Sequence, residues 1–526
     1  MTAAGRSSGT ISKVVFPAGE TIECSADIDV SLDTGAIVVV DWNGGTVEQT
    51  DANARLNFYA GIGTIKAVDS IITSGGNTIL TYNVGNTPGL AVDDVIKIWS
   101  YQAVFSYGRS VSRKCGELMR VVDVSGQTVT CDGEIELVEE YSSDIRAAKL
   151  KSADKCLWLY DSSVGATGVR IVNNSTTSAT GYNRLRLEGL RRYQIQNLYV
   201  RNSHGTPSGS SFRRAMCAEN NCFRGRTLDI DVQNATAFNE RYGWLAEGCV
   251  SSLFGRSAAS TKSSTAPDFG YCRHGFDDGQ NSPSSRDDWK RHGYTKGMTL
   301  ADLVATTCHD IAFAEHAGSM RRRIIDCSVI QGSANTNKYQ IQSRGPYFYW
   351  KNFAADPDSG SQIQFYNEPS ESIWKGDNSD NTFDGLIEGC TFYSLAATFP
   401  IAWSPSSSTK PVGPMTFRDS PWQVYRSIGI DGDRQQVFES TITEDAIILK
   451  GTEDTIFAVS DSGTTLQLNA LRIDLSQSSL SNGSTVNICD AASGTTVQGD
   501  VVITSNPNAY VVVAGTGSGT RNITIS

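Results

Sequence analysis

A short β-like phrase returns five times through the middle of the sequence and constrains the fold more than any other feature. Each copy is rich in alternating apolar and polar residues and ends in polar or charged ones. The copies are Tyr242-Gly-Trp-Leu-Ala-Glu247, Tyr271-Cys-Arg-His274, Ile311-Ala-Phe-Ala-Glu-His316, Tyr339-Gln-Ile-Gln-Ser-Arg344 and Ile363-Gln-Phe-Tyr-Asn-Glu368. A second β-like phrase lies between each copy and the next. Short strands that recur in a fixed order, about 24 to 40 residues apart, are typical of a β-solenoid, in which each repeat is one coil.

The same alternation extends back to Leu157, which gives about eight coils between residues 150 and 400. No segment shows a sustained apolar period of 3.6 residues, so we expect an all-β chain. Residues 1–150 are predicted to form an N-terminal β capping domain, and residues 151–400 a parallel β-helix with a substrate groove. A Pro/Ser/Thr segment follows, and residues 401–526 are predicted to form a C-terminal β domain for trimerisation or glycan binding.

The charge of the chain argues against nucleic acid as a partner. The formal net charge is −11, and the most basic run, Arg321-Arg-Arg323, is typical of a solvated coil edge. No apolar run reaches eighteen residues, and the first residues lack the apolar stretch of a signal peptide. We therefore expect no membrane insertion.

The twelve cysteines show no CxxC pair, and several recur at similar points of the repeat, as at Cys249, Cys327 and Cys390. Recurrence at one strand position predicts small apolar side chains stacked inside the solenoid, not disulfides or zinc ligands. Such a chain is expected to fold in a reducing cytoplasm.

Candidate catalytic residues come from stacking the repeats. Equivalent positions on successive parallel coils lie about 4.8 Å apart, so aligned phrases form columns of side chains. The alignment predicts one outward column, with Arg273 and Glu315 beside it. The members of that column are Glu247, His274, His316, Arg344 and Glu368.

Acidic residues two coils apart in this arrangement would lie roughly 9 to 10 Å from each other, near the separation of about 6.5 to 9.5 Å that inverting glycosidases use. Glu247 with Glu315, and Glu315 with Glu368, are the candidate pairs. The histidines and arginines between them would hold one carboxylate ionised while burial keeps another protonated. The alternative is that a column of mixed charge only keeps the solenoid face soluble.

A second candidate site is the long polar insertion between Phe276 and Gly297. Asp277 and Asp278 lie at its root and are further candidates for the catalytic acid and base, and Trp289 and Tyr294 are aromatic residues on which sugar rings would stack. The alternative interpretation is a tolerated surface insertion.

Other catalytic classes fit the sequence less well. It contains no nucleophile elbow, no phosphate-binding loop, no zinc-protease motif and no dinucleotide fingerprint. We therefore expect neither a cofactor nor a metal ion.

The order of these features resembles bacteriophage tailspikes. The resemblance is carried by Asp93-Asp-Val-Ile-Lys-Ile98 and Gly116-Glu-Leu-Met-Arg-Val121 in the first 150 residues, by Cys272-Arg-His-Gly275 and Phe313-Ala-Glu-His-Ala-Gly318 on nearby coils, and by the Ser/Thr/Val-rich C-terminal part. It implies a right-handed, pectate-lyase-like parallel β-helix that forms a homotrimer. It also implies a place on the virion, beside other tail or baseplate proteins.

The same resemblance implies a protein that binds and usually cleaves a bacterial surface polysaccharide, the O-antigen of lipopolysaccharide or a capsule. An endoglycosidase that uses paired carboxylates is the main hypothesis. A polysaccharide lyase would instead need Arg273 and Arg344 to neutralise a uronate. A non-catalytic glycan-binding adhesin would need neither set of residues.

Overall fold

A computed structural model gives the conformation of most of the first 356 residues and, after them, chiefly of the strands. The residues it describes are 11–33, 35–51, 54–85, 89–107, 111–136, 138, 141–163, 168–174, 184–202, 214–234, 241–258, 260, 262–279, 285, 287–315, 319–330, 340–343, 347–356, 363–367, 385–393, 401–405, 415–418, 420, 422–424, 428–430, 436–439, 447–449, 455–459, 465–474, 484–491, 496–504, 509–512 and 521–525. Two compact units are formed, one by residues 1–299 with 316–319 and one by residues 300–315 with 320–526.

Both units are stacks of parallel coils. Each coil contributes up to three short strands, called here the A, B and C strands in chain order, and each strand pairs in parallel with its equivalent in the next coil of its unit. The alternating residues of these strands point by turns into and out of the coil. The fold class predicted from the sequence, an all-β parallel helix, is confirmed.

The first unit contains six levels of coil. Its A strands are Ile11–Val15, Ile37–Asp41, Leu157–Tyr160, Leu253–Gly255 and the first parts of the bent strands Gln194–Asn202 and Arg226–Asn234. Its B strands are Thr21–Cys24, Thr46–Gln49, Val169–Asn173, Phe269–Gly270 and the second parts of the same two bent strands. Its C strands are Ile28–Ser31, Leu56–Tyr59, Leu185–Glu188, Arg214–Asn220, Arg241–Glu247 and His274–Gly279.

An antiparallel sheet is inserted between the second and third coils of this unit. Its seven strands lie in the order Lys66–Val68, Ile145–Lys149, Val95–Tyr107, Val111–Ser125, Thr128–Asp132, Asn77–Thr81 and Ser70–Ser74. A 3-10 helix, Trp289–Arg291, and the short strands Thr295–Lys296 and Ser319–Met320 lie outside the A, B and C strands.

The predicted capping domain 1–150 thus contains two kinds of structure. Ile37–Asp41 pairs in parallel with Leu157–Tyr160, so the coils on either side of the inserted sheet are continuous. The coil stack already includes Ile11–Val15, well before the boundary that the sequence suggested near residue 150.

The second unit continues the same pattern to the end of the chain. Its A strands are Thr299–Ala301 at the unit boundary, Arg323–Ile325, Tyr349–Lys351, Gly385–Glu388, Met415–Arg418, Gln436–Glu439 and the first parts of Thr465–Asp474 and Thr496–Thr504. Its B strands are Val304–Thr306, Ser328–Ile330, Phe392–Tyr393, Trp422–Val424, Ile447–Leu449, the second parts of the two long strands, and Arg521–Ile525. Its C strands are Ile311–Glu315, Ile341–Ser343, Ile363–Asn367, Ile401–Pro405, Ile428–Ile430, Thr455–Val459, Ser484–Ala491 and Ala509–Val512.

Eight of the A strands lie between residues 150 and 400, as expected from the repeat. The sequence also predicted a change of fold after residue 400. The described strands instead stay in register across that point, because Ile401–Pro405 pairs in parallel with Ile363–Asn367, and Met415–Arg418 with Gly385–Glu388.

Aromatic side chains stack inside the coils of the first unit. Trp244 and Phe276 occupy equivalent positions on neighbouring C strands, and both contact Phe254 with ring centroids 4.9 and 5.0 Å apart. All three side chains are fully buried. Close packing also explains Gly225, where an added Cβ would lie 2.1 Å from the ring of Tyr193.

The cysteines behave as the repeat predicted. Eleven cysteines, from Cys24 to Cys390, are free and buried. Burial raises the pKa of the thiols of Cys156 and Cys390 to about 12, so both are protonated at neutral pH. These cysteines act as small apolar residues of the interior.

The inserted antiparallel sheet docks on one corner of the coils. Val95, Trp99 and Leu118 from the sheet form one apolar cluster with Phe223 and Val250, which lie at turns of successive coils. The described part of the chain contains no helix with the length and hydropathy that a membrane span requires.

Candidate active site

The strand register changes the predicted column of charged residues. Glu247 lies opposite Gly279, whereas the sequence alignment placed it beside His274. In the same register Asp277 lies opposite Leu245, and Asp278 opposite Ala246. The two strands begin at different points of the repeated phrase, so phrases that look equivalent are displaced by several residues.

Alternation along the strand separates Asp277 from Asp278. Phe276 points into the core, so Asp278 points the same way and Asp277 points to the outer face. Asp278 continues an interior column that also contains Leu187, Glu219 and Ala246. Both aspartate side chains are fully buried.

Glu247 shares the outer face with Asp277. Leu245 and Glu247 are half-buried, whereas Trp244 and Ala246 between them are buried, which defines the outward positions of this strand. Glu247 and Asp277 are diagonal neighbours on adjacent strands. Strand spacing and rise place their Cα atoms about 8 Å apart. One outward face of the first unit thus brings two carboxyl groups together.

The insertion after Gly279 borders this face. Its 3-10 helix returns to the third coil, where the ammonium of Lys290 pairs with the carboxylate of Glu188. The carbonyl oxygen of Lys290 accepts a hydrogen bond of 2.6 Å from Asn221. Arg186 also donates to Glu188. Glu188 occupies the same outward column as Glu247, two strands away through Asn220, so the insertion is anchored beside the candidate carboxyl groups.

The two aromatic residues predicted to stack on sugar are both packed in the interior. Trp289 is 8% exposed and belongs to the apolar cluster under the inserted sheet. Tyr294 is fully buried, and its hydroxyl donates to Cys115 Sγ at 3.2 Å. Neither ring presents a face to solvent.

His274 and Arg273 lie at the start of the same C strand. The imidazole of His274 is 4.7 Å from the ring of Tyr242, and the guanidinium of Arg273 lies 5.9 Å from the same ring. His274 is buried at 4% exposure. These contacts hold both side chains against one tyrosine.

The second unit contains Glu315, on the same side of its strand as the buried Phe313. The carboxylate of Glu315 is 1% exposed and accepts a hydrogen bond of 2.6 Å from Ser343 Oγ. Alternation therefore points Glu315 inward, away from the predicted outward column. His316, Arg344 and Glu368 lie outside the described residues.

Several buried carboxyl groups were not predicted from the sequence, and Glu219 is the one in the interior column of Asp278. Glu219 is fully buried in the interior column and accepts a hydrogen bond of 2.6 Å from Ser252 Oγ. Burial raises the pKa of Glu219 to about 7, so the group is partly protonated at neutral pH. The signal was the phrase Arg214–Asn220, in which Glu219 stands one position before the equivalent of Glu188.

Comparison with known proteins supports the fold. No protein-family model and no curated protein sequence matches the chain. The tailspike protein gp49 from Pseudomonas phage LKA1 is similar with a TM-score of 0.51 and 12% sequence identity, over 91% of this chain and 73% of gp49. The Gp54 tailspike of Acinetobacter baumannii bacteriophage AP22, solved in complex with A. baumannii capsular saccharide, matches with a TM-score of 0.48 and 12% identity, over 95% of this chain and 73% of Gp54.

The first of these likenesses covers the coils of both units. Its TM-score and coverage agree with the parallel strand pairing described above. The chain therefore has the parallel β-helix fold of a phage tailspike, as its sequence predicted.

Proposed function

We propose that this protein is a phage tailspike that binds a bacterial surface polysaccharide and hydrolyses its glycosidic bonds. The observation that carries the proposal is the placement of Glu247 and Asp277 on one outward face of adjacent C strands. A pair of carboxyl groups is the minimum chemistry of most glycoside hydrolases. The C strands of the tailspike-like fold form this face, and the anchored insertion forms one border of it.

The environment suggests which carboxyl group has which role. Asp277 is fully buried, whereas Glu247 is half-buried. The half-buried Glu247 is the carboxyl group that water reaches, so it is assigned as the general base and Asp277 as the general acid. Asp277 donates its proton to the leaving glycosidic oxygen. Glu247 removes a proton from the water that attacks the anomeric carbon from the opposite side.

Four of the other predicted residues have no contact with substrate in this proposal. Asp278 and Glu315 point inward, and Trp289 and Tyr294 are packing residues, so none of the four is assigned to substrate.

Homotrimer formation and attachment to other tail proteins on the virion belong to the same proposal, by likeness to tailspikes. A solution mass that is not close to three chains would contradict the homotrimer.

The mass of the released product tests the reaction class. The purified protein is incubated with a panel of Gram-negative lipopolysaccharides and capsules, and the oligosaccharides are analysed by mass spectrometry. Hydrolysis adds one water to each cleaved repeat, and this is the expected result. A product lighter by one water would identify a lyase, and binding without any product would identify an adhesin.

A further inference from the structure

A second surface lies on the A strands of the first unit, apart from the proposed cleavage site. Leu157 and Leu159 are buried, so Trp158 and Tyr160, which alternate with them, point outward. The two rings stack with centroids 4.6 Å apart and planes inclined by 27°. Trp158 remains 41% exposed. A stacked aromatic pair in contact with solvent is a flat apolar platform of the kind that sugar rings cover.

Polar groups surround this platform in a defined register. Lys13, Val39, Trp158 and Gln194 occupy one row across four neighbouring strands. The strand spacing places Lys13 about 10 Å from Trp158 along this row, counted between Cα atoms. The Lys13 Nζ atom lies 5.8 Å from the centre of the Tyr160 ring. A cation and an amide therefore lie on opposite sides of the aromatic pair.

The Lys13 ammonium is available to an anion. Its side chain is 53% exposed, and the nearest carboxylate oxygen, Asp41 Oδ2, is 3.6 Å away. Asp41 also accepts hydrogen bonds of 2.7 and 3.0 Å from the hydroxyl and backbone N–H of Ser162. Lys13 also forms a side-chain hydrogen bond with Tyr160, and its contacts with Tyr160 and Asp41 raise the pKa of the ammonium. An ammonium has three N–H donors, so one donor remains for an anion on the exposed side.

We propose that Lys13, Trp158, Tyr160 and Gln194 form a glycan-binding site for an acidic sugar unit. The sugar ring packs on the exposed face of Trp158, the sugar carboxylate pairs with the Lys13 ammonium, and the Gln194 amide bonds a hydroxyl group. The site belongs to the A strands, whereas Glu247 and Asp277 belong to the C strands. It holds an acidic polysaccharide and takes no part in cleavage.

An acidic glycan fits this surface better than a second copy of the chain. A cation beside an exposed aromatic platform complements a uronate, because the carboxylate can pair with the cation while the sugar ring covers the platform. A stable protein interface also excludes charged groups from its centre, and Lys13 contacts the ring of Tyr160 in the middle of this surface.

The test compares ligands that differ only in charge. The probes are glucuronate-containing capsular polysaccharides and the carboxyl-reduced form of each, in which glucuronate has become glucose. Binding is measured in the Asp277→Asn background so that cleavage cannot remove the ligand. Trp158→Ala is expected to weaken binding of the acidic form about 10-fold. Lys13→Gln is expected to weaken it by a similar factor and to leave the carboxyl-reduced form unaffected.

Tyr101→Ala is the matched control. Tyr101 is 38% exposed, but its ring already contacts Lys114 at 4.4 Å and His292 at 6.0 Å, so its loss should leave affinity unchanged.

Equal binding by the parent and the two platform variants, or no binding of any acidic probe, would overturn the site. A change of solution mass in Trp158→Ala would also overturn it, in favour of contact between copies. Cleavage by the otherwise unaltered chain is assayed separately, so loss of this site and loss of the proposed function are distinguishable.

Discussion

Replacing Asp277 with asparagine is expected to lower the rate of oligosaccharide release by about 10²- to 10⁴-fold, the usual contribution of a general acid or base. Asparagine has nearly the same shape but cannot donate the proton that the leaving oxygen requires. Asp277 points to the outer face of its strand, and asparagine needs no more space than aspartate, so the coil should stay intact. Substrate affinity, measured by retention on the immobilised polysaccharide, should change little.

Asp278→Asn is the matched control for this experiment. Asp278 is the next residue on the same strand and is equally buried, but it points into the interior column beside Ala246. Its replacement is expected to change the thermal midpoint and to leave the rate per folded molecule within a few-fold of the parent. If Asp278→Asn abolished turnover while Asp277→Asn did not, the assignment of outer and inner faces would be wrong.

Replacing Lys296 with methionine is expected to lower the free energy of unfolding by about 3 to 5 kcal/mol, the cost of leaving a buried charge without its partner. Lys296 Nζ lies 2.7 Å from Glu117 and 3.1 Å from Glu136, and both carboxylates belong to the inserted antiparallel sheet or its loop. Burial opposes the charged ammonium, but the two carboxylates outweigh it and raise the pKa of Lys296. This contact links the inserted sheet to the coil.

Thermal and urea unfolding measure the effect. Lys155→Met, at an exposed position of the same unit, is the control and should change stability by less than about 0.5 kcal/mol. Adding Glu117→Gln to Lys296→Met removes the uncompensated charge, so the double variant should recover part of the loss. A Lys296→Met variant as stable as the control would show that this ion pair does not hold the sheet.

The fold could be predicted because alternation repeats along the chain. The alternation in phrases such as Leu185–Glu188 and Ile311–Glu315 predicts strands with one buried face. In the structure the first is a C strand of the first unit and the second is a C strand of the second unit. The ends of the stack could not be predicted in this way. Ile37–Asp41 reads equally as a strand of a cap or of a coil, and only its pairing with Leu157–Tyr160, more than a hundred residues later, decides between them.

The site could be predicted only in part. Asp277 and Glu247 were both among the candidates, but the register that makes them neighbours depends on where each strand begins, and turns of variable length hide this from the sequence. Trp289 and Tyr294 looked like a sugar platform because their loop is polar. They are buried by the inserted sheet, through contacts with Trp99 and Cys115 that are about 180 residues distant in sequence.

The anomeric configuration of the newly formed reducing end tests the central claim most directly. In the proposed function Asp277 and Glu247 act on opposite sides of the sugar with a water between them, which is the mechanism of inverting enzymes. Proton NMR during the first minutes of cleavage, before mutarotation, should therefore show a product whose configuration is opposite to that of the cleaved linkage. A product that retains the configuration would contradict the assignment of Asp277 and Glu247 as an acid and base acting across a bound water.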